Sequence, residues 1–316
     1  MGDFFEDLPK AELHLHLEGS LDADTILELA PGLTREEIAA RYRTGSFAAF
    51  IEAYKWTVGL LTSPACYALA ARRLFARLAA DRIQYAEVTI SAGVVLWKEL
   101  DFEAVFDALA AEAAQSPIPI RWVLDAIRHF GADHGVRVAK LAASHAERGV
   151  VAFGLGGDES RGPASLFEEA FAIARHAGLK LVPHAGENTG AQSVWEAVRA
   201  GAFRIGHGIR AVEDPELMAL LRERRIPLEI CISSNAATGA VASIEDHPLR
   251  VLYEAGVPVV LNTDDPGMFG VTLSGEYRIA ARKLGFTRQE LARMAAESFQ
   301  YACPAATSPP DPRAGS

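Results

Sequence analysis

The sequence predicts an α/β fold, a (β/α)8 barrel of the TIM type with a helical insertion after the first strand, and three observations carry this. Eight short runs rich in apolar and β-branched residues, at 11–16, 83–91, 118–128, 150–157, 180–187, 203–208, 226–235 and 257–265, alternate with longer segments of helical periodicity. The later intervals, at 163–178, 190–201, 214–225 and 247–256, are each about the length of one crossover helix with its loops, which is what successive parallel strands require. The Gly-x-Gly-x-x-Gly turn that follows the first strand of a doubly wound open sheet is absent, so that architecture ranks second.

The first run sets the chemistry. In an extended strand side chains alternate faces, so His14 and His16 project the same way while Leu13, Leu15 and Leu17 take the other face. Two converging imidazoles suit a divalent cation, although a half-buried strand with two satisfied histidines explains an isolated His-x-His as well. The next interval, about 21–81, is too long for one crossover. Helical stretches at 23–30, 35–42, 47–61 and 64–80 read as an insertion over the mouth of the barrel, with Phe47, Phe50, Tyr54 and Trp56 available to line it. No linker marks a second domain, so residues 1–303 are expected to form one hydrolase domain and 304–316, rich in Pro, Ser, Gly and Ala, a loosely held tail.

Composition narrows the classes of function. Of 316 residues 50% are hydrophobic, enough for a large core. A formal net charge of −10 without a basic block argues against nucleic acid or an anionic membrane as partner and is compatible with a small neutral or cationic substrate. Cys66, Cys231 and Cys303 are odd in number and far apart, which favours a reducing compartment over a disulfide framework. The acidic start, Met1 to Asp7, leaves no room for a signal peptide, and no apolar run is long enough to span a membrane. A cytoplasmic protein is expected.

Ionisable residues crowd the predicted strand ends, the face on which barrel enzymes carry their active sites. The first run ends with His14 and His16, and the fourth with Gly156, Gly157, Asp158 and Glu159. The fifth ends with His184, Gly186 and Glu187, the sixth with Gly206, His207 and Gly208, the seventh with Ser233, Ser234 and Asn235, and the eighth with Asn262, Thr263, Asp264 and Asp265. Three histidines with one carboxylate, Asp264, make a mononuclear site for a borderline-soft ion, zinc above all. No lysine stands at the end of the fourth run to bridge two metals. Such an ion brings the pKa of bound water to about 7, so a hydrolytic reaction is expected.

Taken in order, Leu13-His14-Leu15-His16-Leu17-Glu18-Gly19, Gly157-Asp158-Glu159, His184-Ala185-Gly186-Glu187, Ile205-Gly206-His207-Gly208, Ser233-Ser234-Asn235 and Asn262-Thr263-Asp264-Asp265-Pro266 resemble the adenosine deaminase family of the amidohydrolase superfamily. The resemblance runs from about residue 8 to residue 300. It implies one Zn2+ per chain on His14, His16, His184 and Asp264, Glu187 as the acid that protonates purine N1, and His207 as the group that orients and deprotonates the zinc water. It further implies that Asp265 accepts a hydrogen bond connected with purine N7 and that the Gly157 backbone meets N3. Protonation of N1 makes chemical sense, because attack at C6 breaks the ring's conjugation and a carboxylic acid stabilises the charge that develops. Asp158 and Glu159 fit either support of the site or capping of the following helix.

One position departs from the pattern. Adenosine-specific members carry an aspartate that holds the ribose 5′-hydroxyl where this chain has Glu18; Glu18 is expected to bind substrate beside the sugar, and its extra methylene puts that side of the substrate in question. The run 153–159 with 182–190 is similar to the branch that deaminates 6-aminodeoxyfutalosine, an adenine nucleoside with a bulky 5′ extension. The expected partner is therefore a purine nucleoside, adenosine or a 5′-modified adenosine. The alternatives are an adenine deaminase acting on the free base and, in another class, a metal-dependent phosphoesterase of barrel fold.

Overall fold

A computed structural model describes residues 3–303; the segment 304–316, expected as a tail, and residues 1–2 lie outside the described residues. Eight strands, β1 (Ala11–His16), β2 (Tyr85–Ile90), β3 (Ile120–Ile127), β4 (Val150–Gly156), β5 (Lys180–Ala185), β6 (Ile205–His207), β7 (Leu228–Ile230) and β8 (Val259–Leu261), pair in parallel in the order β1 to β8. All eight predicted runs contain a strand, and helices pack outside them in a barrel. Valine, isoleucine and leucine dominate the strands because both faces are covered, and the core they form with the helices is continuous.

The later strands are shorter than the alternation of residues predicts. β6, β7 and β8 keep three residues each. The seventh run was expected to extend to Asn235, but β7 stops at Ile230 and Ser233, Ser234 and Asn235 lie on a helix, Ile232–Ala237. The physical reason is the company Ser233 keeps: its backbone N–H and its hydroxyl both bond the buried carboxylate of Glu276, on the helix Leu273–Lys283. That contact turns the chain and could not be read from the local pattern.

So short an eighth strand needs other means to close the barrel on β1. The Asp264 N–H donates to the His14 carbonyl at 3.0 Å, and the His16 N–H donates to the Asp264 carbonyl at 2.8 Å. The Asn262 side-chain oxygen accepts from the N–H groups of Leu13 and His14 at 2.8 and 3.1 Å, and Glu12 accepts from the Thr263 N–H at 2.9 Å. The seam is thus zipped largely by side chains, and the same bonds bring Asp264 beside both histidines of β1.

Between β1 and β2 four helices, Ala23–Leu29, Arg35–Arg41, Phe47–Leu60 and Pro64–Ala80, occupy the long interval. Each starts where its sequence offers a cap: Asp22, Thr34, Ser46 and Ser63 accept hydrogen bonds from first-turn backbone N–H groups. Phe47, Phe50, Ile51 and Tyr54 follow an i, i+3, i+4, i+7 spacing and line the cavity at the barrel mouth. Trp56 is off that face; it packs on Tyr42 and under the Arg41 guanidinium, which corrects the expectation that it lines the mouth.

Asn262→Leu is expected to leave two buried backbone N–H groups unpaired and to destabilise the barrel by about 2 kcal/mol or more. Urea denaturation checks this. An unchanged midpoint would mean that the Asp264 backbone holds the seam unaided.

Candidate metal centre and active site

The seam delivers four ligand atoms to one point. Asp264 Oδ1 lies 3.3 Å from both His14 Nε2 and His16 Nε2, and His16 Nε2 lies 3.2 Å from His184 Nε2. The four side chains present donor atoms that all lie within 4.8 Å of one another. Buried His14 Nε2 has no hydrogen-bond partner, and two imidazole nitrogens that face each other can share at most one proton. Burial holds His16 down to about 4 and His184 well below the ordinary histidine value, so both offer lone pairs. Burial would depress His14 too, but Asp264 and Glu229 outweigh it and raise it well above, so positive charge is favoured at this spot. These residues fit a divalent cation with nitrogen and oxygen ligands. His207, Cys231 and Asp264 also approach one another, but burial pushes the Cys231 thiol up and away from the thiolate a metal needs.

Each ligand is held from behind. Glu229 Oε2 stands 2.7 Å from His14 Nδ1, which fixes that ring with Nε2 toward the centre. Ser234 donates to Asp264 Oδ2 at 2.6 Å, leaving Oδ1 for the histidines. Burial opposes ionisation of Asp264, yet the adjacent His14 ring, 3.3 Å away, and the other histidines hold its carboxyl well below the usual range. Asp264 and His207 both adopt left-handed backbone conformations, at φ 63° and 60°, which non-glycine residues take at a cost and which cluster at functional sites.

His207 lies beside the cluster, its Nε2 3.8 Å from Glu187 Oε2 and from Asp264 Oδ2. A three-member chain sets its tautomer. The Leu249 backbone N–H can only donate, so His247 Nδ1 accepts it at 3.1 Å and His247 Nε2–H donates to Asn235 Oδ1 at 3.1 Å. The Asn235 amide nitrogen must then donate to His207 Nδ1 at 3.0 Å. Neutral His207 therefore carries its proton on Nε2, toward the cavity.

Glu187 sits in the turn after β5 and is buried; burial first, then the charge of Asp264, raises its carboxyl well above the usual range. Its turn is clamped by Glu159, which accepts from the N–H groups of Gly186, Glu187 and Asn188 at 2.7, 2.9 and 3.2 Å and from the Thr189 hydroxyl at 2.7 Å. Both options for the Asp158-Glu159 pair are realised, one by each residue. Asp158 caps the short helix Glu159–Arg161, and Glu159 supports the site.

Asp265 and Gly157 line the same cavity, of about 320 Å3, with His16, His184, Glu187, His207 and Asp264. Asp265 Oδ1 is buried and unpartnered, and burial followed by the Asp264 charge raises its carboxyl. Gly19 is explained here: a Cβ on it would lie 1.6 Å from Asp265 Oδ1. Glu18 is placed differently from the rest. It is fully buried, is not among the residues lining the cavity, and accepts from the Ser91 N–H at 3.0 Å and from Tyr54 OH at 3.3 Å. Tyr54 and Ser91 are the groups it presents to the cavity.

Sequence reasoning missed Glu229 and His247 as supports of the site and the part Asn235 plays beside them, together with Asp125 in the cavity wall. Only Asn235 stood in a motif that had been singled out. Glu229 and Asp125 lie inside apolar runs and His247 in the loop before the helix Leu249–Glu254, and their roles come from partners distant in sequence. The outer wall is apolar, formed by Phe47, Phe50, Ile51, Val94, Ile127 and Phe130. Its lysine, Lys55, pairs with Glu52 at 2.7 Å.

Comparison with known proteins gives a consistent picture. The family model described as adenosine deaminase matches residues 9–308. An aminodeoxyfutalosine deaminase of Streptomyces coelicolor is 40% identical over 306 residues, covering 92% of this chain and 79% of that one. The crystal structure of an adenine deaminase from Arthrobacter aurescens superposes with a TM-score of 0.87 at 28% identity, covering 93% of this chain and 94% of the other. An amidohydrolase from B. ambifaria with bound Zn superposes with a TM-score of 0.86 at 25% identity, covering 95% and 87%. No helix among the described residues is long and apolar enough to cross a membrane.

His184→Ala is expected to lose bound metal while the barrel persists, because three remaining ligands hold an ion poorly. Elemental analysis beside circular dichroism checks it. Full metal retention would remove His184 from the ligand set.

Proposed function

The chain belongs to the adenosine deaminase family, and from that premise we propose that it removes the 6-amino group of an adenine nucleoside extended at the 5′ position, such as 6-aminodeoxyfutalosine. Hydrolytic deamination at purine C6 is the family's reaction, and the chain is an aminohydrolase of that kind. The observation that carries the reading is one cavity in which the donor atoms of His14, His16, His184 and Asp264 converge and which buried Glu187 and His207 also line.

His14, His16, His184 and Asp264 would hold the metal, and the donor set together with the zinc-bound structural relative favours zinc. Bound there, the ion supplies Lewis acidity that makes a water nucleophilic near neutral pH. Glu187 donates its proton to purine N1 as C6 is attacked. His207, with its proton on Nε2, orients the attacking water by donating to it. In this reading the water's proton passes to the ionised Asp264, 3.8 Å from His207 Nε2, in place of the expected transfer to His207. Asp265 receives the hydrogen bond connected with N7, and the Gly157 backbone faces N3. Glu18 acts on the sugar side indirectly, by fixing Tyr54 and Ser91.

The 5′ extension is supported by the apolar outer wall and by the aminodeoxyfutalosine deaminase relative. Release of ammonia from adenine, adenosine, 2′-deoxyadenosine, AMP and 6-aminodeoxyfutalosine tests it, with the highest kcat/KM expected for the last. A preference for adenine would move the chain to the free-base reading that the Arthrobacter aurescens neighbour represents. Glu187→Gln is expected to keep metal and fold and to lower kcat by at least about 100-fold, the scale of a lost general acid. Near-normal turnover with metal in place would assign the acid elsewhere.

A further inference from the structure

Asp125 stands on β3, 2% exposed, in the wall of the cavity, and its Oδ1 has no hydrogen-bond partner. The barrel makes room for it deliberately. A Cβ on Gly154 would fall 2.2 Å from Oδ1, and one on Gly156 would fall 2.3 Å from Oδ2, so both inward positions of β4 are glycine where this carboxyl lies. A buried, unpaired carboxyl costs stability, and a leucine or valine would fill the same space without that cost. It is the kind of group kept for a ligand.

Its position says which part of the ligand. Glu187, His207 and Asp264 come from the strand ends of β5, β6 and β8, whereas Asp125 comes from β3, another part of the same cavity wall. In a purine, C6 and N9 lie at opposite ends of the bicycle. With C6 at the metal centre, N9 and its substituent point toward β2 and β3. Two other polar groups there are already engaged: Tyr54 OH and Ser91 Oγ bond each other at 2.9 Å, and Tyr54 OH also donates to Glu18, which accepts the Ser91 backbone N–H as well. Asp125 is the buried group left to meet a polar atom of that substituent, with the more exposed His129 beyond it in the same wall.

We propose that Asp125 is a specificity residue that hydrogen-bonds a sugar hydroxyl of the nucleoside, an assignment that rests on the nucleoside reading above. Burial pushes its carboxyl up to about 8, so near neutral pH it can both donate and accept, as a hydroxyl partner allows.

The test compares wild type, Asp125→Asn and Asp125→Ala on adenosine and its 2′-, 3′- and 5′-deoxy analogues, with urea midpoints alongside. Asp125→Ala is expected to lower kcat/KM for adenosine by about 10-fold or more, chiefly through KM, with the midpoint unchanged or raised. One deoxy analogue, the one lacking the bonded hydroxyl, is expected to be indifferent to the substitution. Asp125→Asn, which keeps a hydrogen-bonding group of the same shape, is expected to recover part of the loss. If all four substrates lose the same factor, or none loses any, Asp125 does not read the sugar and the inference fails. If wild type releases no ammonia from any of them but does from adenine, the nucleoside reading fails first and this inference with it.

Discussion

The site hangs on the contact between Glu229 and His14. With Glu229 at Nδ1, His14 can present only Nε2 to the centre, and Asp264, His16 and His184 converge on that atom. Glu229 is in turn held by Arg204, a fully buried guanidinium that also pairs with Glu87 at 2.5 Å and donates to the Tyr301 carbonyl at 2.7 Å. Burial would raise Glu229, but the Arg204 charge and His14 outweigh it and keep its carboxyl below the usual value. A charge network of this kind adds little net stability over a well-packed apolar core, because desolvation offsets attraction. Its return is orientation: strands β1, β2 and β7 are tied to one point beneath the metal ligands.

The glycines of the strand ends are the complement of that polar floor. Gly206 has no side chain where a Cβ would come within 2.8 Å of the His14 ring, and Gly19 leaves the space that Asp265 fills. A barrel interior packed by branched side chains would have no room for four histidines and several carboxyls at one end. Here His14, Asp265 and Asp125 each face a residue without a side chain, so shape and chemistry are set together.

Three further buried carboxylates each restrain one loop of the mouth. Glu159 holds the turn of Glu187, Glu276 turns the chain after β7, and Glu18 positions Tyr54 and Ser91. Backbone N–H groups at loop tips need acceptors, and a carboxylate can satisfy two or three at once. Positions of the reacting groups are thereby fixed before substrate arrives, which is the condition for electrostatic catalysis.

The sequence by itself determined the barrel and brought out His14, His16, His184, Asp264 and Glu187 as candidates at strand ends, because these rest on short-range features: period-two alternation in His14-x-His16 and polar residues clustered where apolar runs end. β1 agrees with its predicted bounds, since its alternation is unbroken from Ala11 to His16. Tertiary structure alone decided where β7 stops, how β8 reaches β1, which nitrogen of His207 is protonated, and that Glu18 faces Tyr54 and Ser91. Each of these depends on a partner far away in sequence: Glu276 for Ser233, Asn262 for Leu13, His247 for Asn235, Ser91 for Glu18. A local pattern records what a residue is suited to do. Only the closed barrel, which brings eight strand ends within bonding distance, selects the group to which it does it.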